Sequence, residues 1–199
     1  MTGEDELARA ALSSFGLPAA ASEDDVDSAL ADRLARVVES ATEVLGVDSV
    51  GLMLLDQHDA LRPAGFTGFT ASALEQVQVE IGEGPGIDAS ERAETIAVTD
   101  LAQAPCYARL WRRLANTGVR AVLASPVRVW GNVIGNLNAV RNEAHRWTET
   151  EIRANDAYAK VIGVTFDLAA HTVDAGRRHH LEPGLHPAPS DHADRRADG

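Results

Sequence analysis

The chain has 199 residues, of which 45% are hydrophobic, and this composition suits one globular domain with tails. Its formal net charge of -12 argues against a general binder of nucleic acids or anionic membranes, because such binders present a basic face. A single cysteine excludes an intrachain disulfide, and the lack of a signal-peptide pattern or long apolar run predicts a cytoplasmic protein without a membrane span.

The first part of the chain predicts a leader followed by a long helix. Residues 1–21 are expected to be a partly disordered leader, although a short apolar pattern there also fits a frayed helix. From Val26 to Leu45 the apolar residues recur at helical spacing, and Gly46 ends the helix. This stripe packs on the domain's own sheet, pairs with the same helix of a second subunit, or does both.

A hairpin and a glycine loop are predicted next. Residues 48–56 and 61–67 read as two strands joined by a polar turn. Ser72 and Glu75 have the spacing of a capping box, which predicts that a helix begins there. Residues 82–88 contain three glycines and a proline and predict a tight loop. That loop is interpreted either as a pocket wall whose amides hold an anion or as a purely structural turn.

The second half of the chain predicts a short strand, a helix, a second hairpin and a long helix. The strand covers 95–98, the helix covers 107–117, and the hairpin strands cover 119–129 and 133–141. Pro126 predicts a sheet edge or a bulge, because proline cannot donate to a ladder. A capping box at Thr148 begins the last helix, which runs through Ala169. Residues 22–172 form the predicted domain, and 173–199 form a predicted disordered tail.

This order of elements predicts an α+β fold with a central antiparallel sheet. The long N-terminal and C-terminal helices cover one face of the sheet, and short helices and loops enclose the other face.

Several stretches resemble the GAF domain family, which is related to PAS domains. They are Gly82-Glu83-Gly84-Pro85 with residues 74–78 that run into it, then 96–101, Ser125-Pro126-Val127, 131–138 and Trp147-Thr148-Glu149. The resemblance covers roughly residues 24–172. The first stretch is most similar to actinobacterial GAF domains that usually precede an ANTAR RNA-binding domain. Many of those have Cys where this chain has Gly86, and the sequence after Ala170 does not fit an ANTAR domain.

The resemblance implies a non-enzymatic sensory or regulatory domain that binds a small molecule. It would signal as a homodimer through the helices from Val26 to Leu45 and from Ile152 to Ala169, and a signalling protein is a possible further partner. The alternative is a degenerate GAF domain that only binds proteins, with a filled pocket. Direct contact with nucleic acid or membrane is not expected, and no cofactor is indicated.

The candidate ligand-binding residues lie on the predicted loop, helix and strands that enclose the open face of the sheet. Ser125 and Asn138 are polar positions in otherwise apolar strands, and a buried polar group needs a partner. Trp111 reads better as plain core than as a ligand contact. The full set of candidate ligand-binding residues is Gly84, Asp88, Tyr107, Trp111, Ser125 and Asn138.

No catalytic set and no metal site are predicted. Cys106 is a possible redox sensor, chromophore attachment point or catalytic thiol, but it reads best as a small semi-buried residue at a helix start. His58 and His145 are expected to be solvated in a turn and a loop. The histidines in or beside the tail fit either weak metal binding or a solvated tail.

Overall fold

A computed structural model describes residues 23–180, with side chains from 25 to 171. The elements in chain order are α1 (Glu23–Leu45), β1 (Ser49–Leu55), β2 (Leu61–Phe66), α2 (Gly68–Ile81), α3 (Pro85–Arg92), β3 (Ile96–Val98), two short 3-10 turns (Leu101–Gln103 and Pro105–Tyr107), α4 (Ala108–Leu114), β4 (Ala121–Val129), β5 (Asn132–Arg141) and α5 (Glu149–His180).

The five strands form one antiparallel sheet in the order β2-β1-β5-β4-β3. The predicted α+β class with a central antiparallel sheet is therefore confirmed. Trp130 and Gly131 join β4 to β5 with φ angles of 49° and 83°. Two consecutive positive φ angles give the twist of a type I′ turn, which matches the twist of the strands it joins.

Helices α1 and α5 pack side by side on one face of the sheet, as predicted. Ser40 Oγ of α1 lies 3.0 Å from the Tyr158 hydroxyl oxygen of α5. Burial of aliphatic side chains between these helices and the sheet drives their association. The buried core of this helical face consists of Leu34, Val38, Ala41, Leu45, Val47, Val50, Leu52, Ala121, Leu123, Val127, Leu137, Ala139, Trp147, Ala159 and Ile162.

The opposite face of the sheet is covered by α2, α3, α4 and the 3-10 turns. We call it the loop face. Its apolar core is smaller than that of the helical face. Over the middle of β1 and β5 the buried side chains are polar. The buried apolar residues of the loop face are Ala71, Leu74, Val98, Leu101, Tyr107, Leu110, Leu114, Val119, Val122 and Val140.

Helix α2 begins earlier than predicted, and the predicted capping box of Ser72 and Glu75 is wrong. The helix starts at Gly68 after Thr67, so Glu75 lies in its middle. Thr67 Oγ1 is 2.7 Å from Thr42 Oγ1 and accepts a hydrogen bond from the Val50 amide at 2.9 Å. These tertiary contacts fix the start of the helix. The glycine loop is shorter than predicted, because α3 already begins at Pro85, a residue well suited to the first helical position.

The other boundaries agree more closely with the sequence. Strand β4 is continuous, but β3 pairs with it only as far as Ala124, so Pro126 has a strand neighbour on one side alone. Thr148 and Glu151 form the predicted capping box. Helix α5 continues to His180, past the predicted domain end at 172. The predicted leader and the rest of the predicted tail lie outside the described residues. Within 23–180, no helix is long and apolar enough to cross a membrane.

Candidate functional site

A buried polar cluster lies between α2 and the sheet on the loop face. Helix α2 turns a stripe of five residues toward the sheet, namely Thr70, Ala71, Leu74, Glu75 and Gln78. Glu75 and Gln78 are three residues apart and therefore share one side of the helix. Both are fully buried, which is rare for a glutamate.

The carboxyl group of Glu75 lies directly over Gly51 of β1. It comes so close that a Cβ at Gly51 would overlap Oε1. Neither carboxyl oxygen has a hydrogen-bond partner of good geometry, although the Asn138 side chain lies close enough to interact with the carboxyl group. Burial raises the pKa of Glu75 to about 8, and the nearby Asn138 side chain lowers it only partly. The carboxyl group is therefore mostly protonated at neutral pH.

Two asparagines of β5 continue the cluster along the sheet. Asn138 pairs with Gly51 across the strands, and its Nδ2 donates to Asn136 Oδ1 at 2.8 Å. Asn136 Nδ2 donates in turn to Ser90 Oγ of α3 at 2.9 Å. Asn138 Oδ1 has no partner. Gly86 covers both amides, since a Cβ there would lie 2.7 Å from Asn136 Oδ1 and 2.9 Å from Asn138 Oδ1.

Gln78 holds the glycine loop against the cluster. Its Oε1 accepts the Gly86 amide at 2.8 Å, and its backbone carbonyl accepts the Gly82 amide at 2.9 Å. Its Nε2 donates to Met53 Sδ at 3.7 Å. The Gly86 amide at the start of α3 thus already has a partner within the protein. The interpretation of the loop as an anion cradle gains no support from that amide.

A cavity of about 490 Å³ lies beside the cluster, between the β1–β2 hairpin, α2 and α3. Ser90 belongs to its wall and also accepts from Asn136, so the cavity and the polar cluster meet at this residue. The other lining residues are Leu55, Asp59, Ala60, Leu61, Arg62, Val79, Gly82, Ile87, Glu91 and Val133. Such a mixture of apolar walls and a few polar groups is typical of small-molecule sites.

Four of the six predicted ligand-binding residues belong to α3 or its N-cap, lie under the helix, or bond to it. Gly84 is the residue before the helix, with φ 154°, and Asn138 lies beneath its first turn. The Tyr107 hydroxyl donates to Asp88 Oδ2 at 2.8 Å, and Arg92 also binds that carboxylate at 2.9 Å. Burial and the Asp88 carboxylate raise the pKa of Tyr107 above its usual range. These contacts tie the outer side of α3 to the 3-10 turn.

The other two predicted residues lie elsewhere. Trp111 is half-buried in α4 and lies under the Arg120 guanidinium, whose carbon is 5.6 Å from the ring centroid. Arg120 sits beside Arg141, three residues along β5 from Asn138. Ser125 points to the helical face, so the expectation that it faces the same pocket as Asn138 is wrong. Successive residues of a strand alternate between faces, and Ser125 is one residue removed from Ala124, the partner of Asn138.

Cys106 and His145 also differ from expectation, whereas His58 is exposed as expected. Cys106 is exposed in the turn Pro105–Tyr107, so its interpretation as semi-buried is wrong. It borders a cavity of about 620 Å³ along β3. His145 is partly buried, and its Nε2 lies 2.8 Å from Glu151 Oε1. Among the residues with described side chains, no group of three or more His, Cys, Asp or Glu could hold a metal ion.

Sequence reasoning missed Glu75, Gln78, Met53 and Ser90 as members of the cluster. The misplaced helix start caused the omission of Glu75, because it assigned this residue to a solvated cap. With the start at Gly68, the spacing of Ala71, Leu74 and Gln78 would have placed Glu75 on the buried side. A glutamate on that side would have marked the site.

Comparison with known proteins identifies relatives of the fold. A profile described as GAF domain matches residues 29–166. A comparison with curated protein sequences finds no match.

Three solved structures illustrate the likeness. One is a domain of a protein described as a two-component sensor histidine kinase from Sinorhizobium meliloti. It has a TM-score of 0.58 and 19% identity, and the match covers 74% of this chain and 95% of that chain. Another is the free methionine-R-sulfoxide reductase from Neisseria meningitidis with its substrate (TM-score 0.58, 20% identity, 76% and 89%). The third is the GAF domain of an Acinetobacter phosphoenolpyruvate-protein phosphotransferase (TM-score 0.52, 15% identity, 91% and 96%).

Proposed function

Because the chain belongs to the GAF domain family, we propose that it is a non-enzymatic sensory domain that binds a small molecule beneath α3. The binding changes how α1 and α5 pair in a homodimer, and a signalling protein reads that change. The protein acts in the cytoplasm without direct contact to nucleic acid or membrane. The likeness of Gly82-Glu83-Gly84-Pro85 to GAF domains that accompany ANTAR domains stays a prediction.

The single observation that carries this proposal is the buried carboxyl group of Glu75 without a hydrogen-bond partner. Leaving a buried polar group unpaired costs roughly 1–3 kcal/mol. A ligand that entered from the neighbouring cavity would supply the partner, and Ser90 connects the two spaces.

The outer surface of the helix pair supports the dimer. Val44 of α1 is 68% exposed, and Val161 and Val164 of α5 are 48% and 58% exposed. The two α5 valines are three residues apart and therefore lie on one side of the helix. Pairing of these helices with a second copy would bury the valines. A ligand shifts such a pairing only if it binds one arrangement more tightly than the other.

The enzymatic alternative has weaker support. The Neisseria meningitidis structure is named as a free methionine-R-sulfoxide reductase, but its 20% identity argues for the fold alone. Cys106 is the only cysteine of this chain, so an enzyme that resets itself through an intrachain disulfide is excluded.

Native mass spectrometry of the protein purified from its own host tests the proposal. We expect a dimer that carries a bound small molecule, and a monomer without bound mass at high concentration would contradict it. The double substitution Val161→Glu and Val164→Glu should convert the dimer to monomer in sedimentation experiments. Arg153→Glu, an exposed change on the same helix, should leave the dimer largely intact.

A second candidate function is a protein-interaction module without a ligand. It is favoured by the closeness of Gly86 to Asn136 and Asn138, which fills the space above them. Native mass spectrometry separates the candidates, because the module predicts a dimer that carries no small molecule even when it is taken from its host.

A further inference from the structure

We propose that residues 5–15 of the chain's own leader form a helix that lies in an apolar groove of the helical face, antiparallel to α1. The groove and the proposed ligand site lie on opposite faces of the sheet, and neither requires the other. Residues 1–22 lie outside the described part of the chain, so their sequence and the groove together carry the proposal.

The groove lies between α1 and the first two strands and has a volume of about 420 Å³. It is lined by Leu30 of α1, Leu54 of β1 and Phe166 of α5, among others. These three side chains pack against the core of the helical face, yet the described residues bury them only in part. An apolar segment in the groove would remove them from water, and that removal drives packing.

The α1 wall of the groove has a shape that accepts a second helix. Four of the α1 residues that line it recur at four-residue intervals and form one ridge, namely Asp27, Ala31, Ala35 and Glu39. The two alanines are exposed, and their small side chains let another helix come close. From Asp27 to Glu39 the ridge is about 18 Å long.

The leader carries a matching apolar stripe. Leu7, Ala11 and Phe15 are spaced by four residues, and Leu12 lies beside them on the same side of a helix. A helix over residues 5–15 would be about 16 Å long, which is close to the length of the ridge. Its acidic first turn suits a helix N-terminus.

The connection to α1 selects this occupant and its direction. Gly16 and Pro18 end the leader helix, and residues 16–22 join it to α1, which begins at Glu23. Connections of about 2–8 residues usually join neighbouring antiparallel helices in bundles. A tether this short gives the leader an effective concentration on the order of millimolar, so it competes well against a separate partner.

A leader helix on this ridge leaves the proposed dimer surface free. Ala35 of the ridge and the exposed Val44 are nine residues apart on α1, which is two and a half turns. They therefore lie on opposite sides of α1. Helix α1 would then be the middle one of three helices on this face, between the leader and α5.

Cross-linking in the full-length protein tests the contact. If Phe15 lies beside Asp27, an antiparallel register sets Ala11 beside Ala31. In a Cys106→Ser background, we expect a short bismaleimide to join Ala11→Cys to Ala31→Cys within one chain. The matched control, Ser13→Cys with Ala31→Cys, should cross-link at least about five-fold less, because position 13 is on the polar side. Equal yields for the two pairs, or links mainly between chains, would overturn the assignment.

Hydrogen exchange tests the same contact without new thiols. A helix of eleven residues is marginal in water by itself, so its amides exchange freely unless packing holds it. We expect the amides of residues 9–15 to exchange at least about ten-fold more slowly in the wild type than in Leu12→Asp. Ser13→Asp should match the wild type. Equal exchange in Leu12→Asp and the wild type would show that the leader does not occupy the groove.

Discussion

The two faces of the sheet differ in the hydrogen bonding of their buried carboxyl groups. On the helical face, Asp156 of α5 accepts hydrogen bonds from Thr95 Oγ1 and Ser125 Oγ, each at 2.6 Å. On the loop face, Glu75 is fully buried and accepts none. One unpaired amide oxygen occurs on each face, at Asn155 and Asn138, so an unpaired amide alone does not mark a site. The contrast lies in full burial of a carboxyl group, because Asp167 of α5 also has an unpaired oxygen but its side chain is 37% exposed and lies 3.2 Å from His171.

This difference indicates a division of labour within one domain. The helical face joins α1 and α5 to the sheet through a continuous aliphatic core, and its hydroxyl and carboxylate groups fix the position of α5. The loop face has a smaller core and an unfavourable polar cluster under a short helix. We infer that the first face carries most of the stability and that the second gives up stability for binding.

The largest expected loss of stability comes from a substitution in the core of the helical face. Leu137→Ala removes a fully buried side chain from the middle of its core and should lower the free energy of unfolding by about 2–5 kcal/mol. Urea denaturation followed by circular dichroism measures this change. A loss below about 1 kcal/mol would mean that this core does not carry the stability.

A smaller effect tests how tightly α3 closes on the cluster. Gly86→Ala places a methyl group 2.7 Å from Asn136 Oδ1 and should cost roughly 1–3 kcal/mol. The matched control is Gly65→Ala, since a Cβ at Gly65 of β2 meets no atom within 4 Å. Thermal denaturation of both variants gives the comparison. Equal stability of the two variants would show that α3 can shift away from the sheet at no cost in free energy.

A still smaller effect concerns the beginning of α5. Thr148→Ala removes the Oγ1 atom that accepts the Glu151 amide at 3.3 Å, and the loss should be about 1 kcal/mol. Burial works to raise the pKa of Glu151, but hydrogen bonds from Thr148 and His145 outweigh it and lower the pKa to about 2. The substitution should therefore raise that pKa, which carboxyl ¹³C NMR measures. An unchanged pKa would contradict the capping role.

The smallest expected effect is at Cys106. Because its side chain is exposed, Cys106→Ser should change the free energy of unfolding by less than about 0.5 kcal/mol. A thiol reagent at neutral pH should label the native wild-type protein. A native thiol that reacts only after unfolding would contradict its exposure.

The sequence predicts the architecture well, because the architecture follows from patterns of apolar residues. The stripe from Val26 to Leu45, the second hairpin and the capping box at Thr148 each depend on local rules, and all three are found in the structure. The packing of α1 and α5 on one face follows from the same stripes.

The polar site is less predictable, since it depends on contacts between distant segments. Thr67 begins α2 through bonds to Thr42 and Val50, and no local signal announces that start. The predicted N-cap, Ser72, lies five residues after the observed one, Thr67, and this difference places Glu75 in a solvated cap instead of on the buried side. The face of Ser125 is likewise not predictable from its strand alone, because it depends on the register in which β4 pairs with β5.

The most direct measurement of the central claim is the free energy of unfolding as a function of pH for the wild type and Glu75→Gln. The pKa of Glu75 is raised from 4.5 to about 8 in the folded protein, so between these values the folded state holds a proton that the unfolded state has lost. The stabilisation associated with this proton is complete below pH 4.5 and is lost as the pH rises through 8.

We therefore predict that, relative to Glu75→Gln, the wild type loses about 1.4 kcal/mol of stability per pH unit across this window. Parallel curves for the two proteins would contradict the account, because they would show a Glu75 carboxyl group that titrates normally and is neither buried nor unpaired.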